Sequence, residues 1–186
     1  MSSQTDPVLK ISDLDLMPDD GNRYELIEGE LFVSRAPSLL HQLAITNLIV
    51  LVRSYLDLNP IGIVVTGPGV ILSEVSGVIP DLVFISNERL TDIVLSDRLT
   101  GAPELVVEIL SPGSENERRD RVVKRSLYGK YGVQEYWVVD LVSRSIEIYT
   151  LNRRLLVLSS TLTEGDELNS GVLPGFRCEV RRILPA

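Results

Sequence analysis

A glutamate stands where a strand pattern calls for hydrocarbon: Glu108, in the run ELVVEIL at 104–110. Alternation along a strand puts Val106, Glu108 and Leu110 on one face and Leu105, Val107 and Ile109 on the other. Both faces are apolar, which predicts a central strand covered by helices on one or both sides. A carboxylate there is costly to bury unless a cation or metal offsets it, so Glu108 is expected to have a partner. The plain alternative is a glutamate at the mouth of the sheet, solvated or paired to an arginine. A second carboxylate, Asp81, heads another hydrophobic strand after Pro80. Taken alone, Pro-Asp before a strand is ordinary turn chemistry. Two carboxylates converging from neighbouring strands would make a hard, oxygen-rich site suited to Mg²⁺, which keeps several waters and takes one or two protein carboxylates. Such an ion polarises a phosphoryl oxygen and acidifies a bound water.

Lys124 is the candidate for the positive group. Asp120, Lys124 and Tyr128 fall at i, i+4 and i+8, sharing a helix face beside a docking stripe of Val123, Leu127 and Tyr131. Turned inward, the ammonium would position an attacking water or stabilise a phosphoryl oxyanion. Turned outward, it is a solvated Asp–Lys pair worth a few tenths of a kcal/mol. Glu25 lies on the same side of its strand as Ile27, where partial burial would make it a supporting carboxylate and exposure an ordinary hairpin charge. His41, the only histidine, reads as a capping or packing residue, and one histidine with one cysteine makes no zinc site. Trp137 is assigned to the core. Neither a phosphate loop nor a dinucleotide fingerprint nor a nucleophile elbow occurs, and a single His and Cys give nucleophile–base pairs little material.

The chain around these residues has 186 positions, 44% hydrophobic and 24% charged, which suits one globular domain over 1–186 with a well-buried sheet. Cys178 is the sole cysteine, so no internal disulfide forms and a reducing cytoplasm is the natural compartment. The start, MSSQTDPVLK, lacks a basic region followed by an apolar run, which argues against export. The most apolar stretch, 39–52, is broken by His41, Gln42, Thr46 and Asn47 and reads as a buried helix, with no membrane partner expected. A net charge of −8 excludes a protein that coats nucleic acid by general electrostatics. A polyanion would have to land on the one cationic segment, Arg118, Arg119, Arg121, Lys124 and Arg125.

The elements that must position the candidates are those of an α/β protein. Ser12 is expected to cap a short first helical turn closed by Pro18 and residues 19–21. RYELIEGELFVS forms a β-hairpin about Glu28-Gly29. The longest helix runs from Ser38 to about Leu58, with Leu40, Leu43, Leu48, Leu51 and Leu58 as buried candidates, and Asn59-Pro60 ends it. Strands follow at 61–66, 69–73, 79–86 and 104–110. A second helix spans about Glu117 to Tyr131 with Gly132 as its cap. Strands at 134–140, 145–150 and 154–160 come next, and 161–186 reads as a loop with one short strand near Phe176 to Val180.

Pro80-Asp81, the run Glu108 to Pro112, then Asp120, Lys124, Tyr128, Gly132-Val133 and Glu135-Tyr136-Trp137, in this order and spacing, resemble the Uma family of putative restriction endonucleases, within the PD-(D/E)XK nuclease superfamily. The likeness covers roughly residues 12–160, the expected core, and takes in Tyr24 to Leu31 and His41. It implies a restriction-endonuclease-like fold, with a mixed central β-sheet flanked by helices and an N-terminal β-hairpin. It also implies a Mg²⁺-dependent site (Mn²⁺ as a substitute) that hydrolyses DNA phosphodiesters, Asp81 and Glu108 being the metal ligands. The superfamily's lysine stands two residues after that glutamate, where this chain has Leu110. In the Uma group a lysine on the following helix fills the gap, and Lys124 matches it. Glu25, His41, Asp120 and Tyr128 are then supporting residues, and Arg118, Arg119, Arg121 and Arg125 the nucleic-acid contacts. The competing reading keeps the fold without cleavage, as a binding or regulatory module. A third is self-association through apolar strands such as RLLVLSS at 154–160. A homodimer suits an enzyme that cuts both strands.

Overall fold

The computed structural model describes residues 8–95 and 98–185. Most of the amino-terminal stretch read against export, residues 1–7, lies outside them. A four-residue helix α1, Ile11–Leu14, comes first, and its N-cap is Lys10 rather than the expected Ser12. Asp13 accounts for the shift, since its carboxylate accepts the backbone N–H of Lys10 at 2.7 Å. Strands β1 (Arg23–Ile27) and β2 (Glu30–Ser34) form the expected hairpin. Glu28 and Gly29 turn it with φ of 52° and 86°, the pair of left-handed residues that a two-residue hairpin needs.

Helix α2 (Leu39–Leu58) is capped by Ser38, whose hydroxyl accepts from the backbone of His41. Its buried stripe is His41, Ala44, Ile45, Leu48, Val52 and Leu56. Of the leucines expected inside, only Leu48 is buried, while Leu40, Leu43 and Leu58 are exposed. Leucines surround this helix, so their spacing alone did not single out the stripe that meets the sheet. Helix α2 is long and apolar enough to cross a membrane, but its buried stripe packs on a sheet.

Then come β3 (Gly62–Thr66), β4 (Val70–Ser73), β5 (Ser76–Val78) and β6 (Leu82–Ser86). The single strand expected over 79–86 is a correction: Ile79, Pro80 and Asp81 link β5 to β6, because proline interrupts ladder pairing. Besides β5, three short elements before β9 went unread in the sequence: α3 (Asn87–Ile93), β7 (Val94–Leu95) and β8 (Arg98–Leu99). Strand β9 (Leu105–Ile109) leads into one long helical run made of α4 (Ser114–Arg118), a π-helical stretch (Arg119–Lys124) and α5 (Arg125–Tyr131). Gly132 ends it in the left-handed region at φ 92°. Last are β10 (Glu135–Asp140), β11 (Ser145–Asn152), β12 (Leu155–Thr163), and a two-stranded ribbon of β13 (Glu167–Asn169) and β14 (Arg177–Glu179).

The central sheet has the order β12-β11-β10-β9-β6-β3 and is mixed, since β9 pairs parallel with β10 and antiparallel with β6. A second six-stranded sheet, β2-β1-β5-β4-β8-β7, carries the hairpin. One face of the central sheet (Leu105, Val107, Ile109) packs with α2 and with Leu168, Phe176, Val180 and Ile183 of the carboxy-terminal segment. That segment is therefore more than the loop expected over 161–186. The other face (Val106, Leu110, Tyr136, Val138) packs with Leu127 and Tyr128 of the long helical run. Trp137 is fully buried, as expected.

Candidate functional site

Glu108 sits on the central strand β9 beneath the helical run and is 3% exposed. Its Oε1 accepts from the Lys124 ammonium at 2.9 Å and from the Tyr128 hydroxyl at 2.7 Å. Asp81 stands at the entry to β6, the strand on the other side of β9 from β10. Its Oδ2 accepts the Ile109 amide at 2.8 Å and lies 3.1 Å from His41 Nε2. Its Oδ1 has Arg23 at 3.6 Å. Each carboxylate thus has one oxygen held by close partners and one with fewer claims on it.

Glu25, the residue for which burial and exposure were both open, is buried. Its Oε1 lies 2.8 Å from Lys124 Nζ and accepts the Ile79 amide at 2.7 Å. Asp120 is 4.0 Å from the same ammonium. Asp120 and Lys124 share the helix face expected of them, and both lie deeper than Val123 and Tyr131 of the predicted stripe. The π-helical stretch explains this. Its wider turn brings Arg119 as well as Asp120 to the side of Lys124, and all three are buried.

Four carboxylates (Glu25, Asp81, Glu108, Asp120) share this place with two buried cations, Lys124 and Arg119. Burial pushes the Glu108 carboxyl up to about 8, against the pull of Lys124 and with added repulsion from Asp81, Asp120 and Glu25. Burial raises Asp120 too, although Lys124 and Arg119 oppose it. For Lys124, burial alone would lower the ammonium, but Glu108, Glu25 and Asp120 outweigh it and hold the amine above its usual value. Tyr128 lies well above the usual phenol range, through burial first and then its contact with Glu108. Other buried carboxylates are plain by comparison: Glu104 bonds Ser86 and Glu135 bonds Trp137 and Gly171, all neutral donors.

Asp81, Glu108, Lys124, Glu25, His41 and Asp120 all line one tight cavity of about 30 Å³. Among the described residues no group of three or more His, Cys, Asp or Glu is assembled as a metal cage. What the cavity offers is two carboxylates, each with one oxygen less fully claimed by its partners, a donor set that fits a hard divalent ion retaining its waters. Leu110, at the position of the superfamily's usual lysine, is buried in the apolar cluster, so Lys124 is the amine that reaches this point.

The four helix arginines do not form the single patch expected. Arg118 is exposed, Arg119 turns inward onto Asp120, and Arg121 is bound by Asp140 and Glu147. Arg125 lies over the Tyr149 ring at 5.0 Å. Adjacency in sequence spreads residues around a helix, and internal acids claim two of them. The cations that do line the acid cavity are Arg23, Arg35 and Arg119 with Lys124. Sequence reading missed the first two as site residues, although Arg23, Glu25 and Ile27 alternate along β1 and so share a face.

A family model described as Uma2, putative restriction endonuclease, matches residues 11–181. Among solved structures, a crystal structure of a putative nuclease belonging to DUF820, from Anabaena variabilis, is similar to this chain with a TM-score of 0.75 at 15% identity. The match covers 94% of this chain and 97% of the other. At that identity the likeness speaks for the fold. No curated protein matches.

Proposed function

We propose, from the premise that this chain belongs to the Uma2 family of putative restriction endonucleases, that it is a divalent-metal-dependent endonuclease hydrolysing phosphodiester bonds in DNA. The observation that carries this reading is the meeting of Asp81, Glu108 and Lys124, from two adjacent strands and the next helix, in one small cavity. Asp81 and Glu108 are the residues that would hold Mg²⁺, with Mn²⁺ as a substitute. Such an ion supplies Lewis-acid polarisation of a phosphoryl oxygen and a more acidic water.

The chain's own residues do the rest. The Ile109 amide and His41 fix the Asp81 carboxylate, and Tyr128 fixes that of Glu108. Glu25 holds the Lys124 ammonium at 2.8 Å together with β9's own acid. So restrained, Lys124 is a preorganised point charge for the oxygens of the phosphate under attack. The apolar packing around Leu110, Val106 and Leu127 keeps bulk water from screening it.

Cleavage of plasmid and single-stranded DNA with Mg²⁺, Mn²⁺ or EDTA tests the reading. Asp81→Ala and Glu108→Gln are expected to lose at least about a hundredfold in rate, and Lys124→Met about 10²–10³-fold. Calorimetric titration of Mn²⁺ should give heat with the wild type and none with an Asp81→Ala, Glu108→Ala double variant. Equal heats would sink the assignment. A second reading, a nuclease-fold binding module without cleavage, draws on the Lys124–Glu108 contact, which already neutralises the acid with an amine. Intact metal binding with no cleavage under any of these metals selects it.

A further inference from the structure

Three cavities run into one another beside the acid cluster. The tight one shares Ser34, Arg35, Pro37 and Ser111 with a second of about 380 Å³. The second shares Val33 and Asn116 with a third of about 500 Å³, and Arg119 lines all three. They make one cleft, walled on one side by β2 and the turn into α2 and on the other by the turn after β9 and the start of the helical run. The two larger cavities fall in the range of roughly 300–1,000 Å³ where small-molecule-sized groups bind.

Arg119 is the unusual residue. Only 9% of it is exposed, yet its side chain makes one hydrogen bond among the described residues, from Nε to Asp120 Oδ1. The two terminal nitrogens of the guanidinium have no acceptor among the described residues, in a cleft open to a ligand. A guanidinium fork of this kind matches the paired oxygens of a phosphate. Arg35 is exposed on the opposite wall of the second cavity. The third cavity differs in character: half-buried Phe32 with Leu31, Val33 and Val123 gives it an apolar wall, and its two acids, Glu30 and Glu115, offset Arg118 and Arg119. An aromatic side chain beside apolar neighbours suits the π-face of a base.

We propose that this cleft is the track of one unpaired polynucleotide strand leading away from the reacting phosphate. The proposal rests on the nuclease reading above. An adjacent backbone phosphate lies between Arg119 and Arg35 in the second cavity, and a base lies against Phe32 in the third. A paired duplex keeps its base faces stacked inside and has none to offer the third cavity. The same two arginines explain how a chain of net charge −8 engages a polyanion: a few local contacts stand in for a basic surface.

Binding of short fluorescein-labelled oligonucleotides, single-stranded DNA, single-stranded RNA and blunt duplex DNA, is measured by anisotropy in EDTA, where no cleavage occurs. Wild type should bind a single strand about tenfold more tightly than the duplex. Arg119→Gln should weaken that binding at least tenfold and Arg35→Gln severalfold, each lowering the salt slope by about one phosphate. Arg35 is exposed, so its variant reads the cleft without disturbing the buried cluster; Arg53→Gln, in a surface pair with Asp57, serves as the unaffected control. Tighter binding to duplex, or single-strand binding unchanged in both cleft variants, overturns the cleft proposal and leaves the nuclease reading standing. Absence of binding to every probe likewise overturns the cleft proposal, while the nuclease reading stands or falls on the cleavage assays and Mn²⁺ heats above. The preference between DNA and RNA identifies which strand uses the track.

Discussion

The two faces of β9 are built from the same five-residue strand and do opposite things. On one, Leu105, Val107 and Ile109 meet α2 and the carboxy-terminal segment in an apolar cluster that includes Cys178, whose thiol burial pushes up to about 11. On the other, Glu108 lies between Val106 and Leu110 and meets Lys124, Tyr128 and, beyond them, Glu25 and Asp120. Both faces are equally dry. The first holds a helix to a sheet by hydrophobic burial. The second adds buried charges to its apolar packing, and hydrocarbon of similar volume often equals or betters such charges in stability. Perturbed, mutually opposed ionisable groups are the material from which reaction centres are built, which is what the proposed function draws on.

The sharpest way to break this contrast is to remove the amine. Lys124→Met should cost about 3–5 kcal/mol in urea denaturation, because the carboxylates it faces are left buried without it. Adding Glu108→Gln should restore part of that loss, a coupling visible in a double-mutant cycle. Wild-type stability in Lys124→Met would mean that the two faces are energetically alike. Next in size, Leu105→Ala on the apolar face should cost about 2–4 kcal/mol through lost burial and a cavity, with the Mn²⁺ heat unchanged.

The smallest effect sharpens the comparison through pH. Folded Glu108 titrates near 8, above its ordinary 4.5, so the native state holds this proton where the unfolded chain has released it. Its contribution to stability is present below pH 4.5 and is lost as the pH rises toward 8. Urea midpoints across this window should fall with rising pH in the wild type and fall less in Glu108→Gln. Leu105→Ala should keep the wild-type slope on a lower curve. A Glu108→Gln profile parallel to wild type would remove Glu108 as the source.

Some of the site was legible because it broke a local rule. Glu108 interrupts an apolar run, and Lys124 repeats Asp120 and Tyr128 at helical spacing, so both announced themselves. Glu25 did not, since a charge on a hairpin is ordinary until another element covers it. Arg23 and Arg35 were silent for the same reason, and the burial of Arg119, named as a nucleic-acid contact, went unread because the π-helical stretch changes the phase that α-helical spacing assumes. The buried stripe of α2 escaped too, as leucines on several sides leave the choice to the sheet it meets.

Local covalent chemistry determined the hairpin turn at Glu28-Gly29, the cap at Ser38, the stop at Gly132 and the apolar character of β9, each of which depends on neighbours a few residues away. The order of six strands, the depth of Glu25 and the convergence of Asp81, Glu108 and Lys124 belong to tertiary structure alone. They join residues up to about a hundred positions apart, as Glu25 and Lys124 are. Only packing decides which of many charged side chains loses its water, and that loss of water is what turns an ordinary acid and an ordinary amine into a perturbed pair.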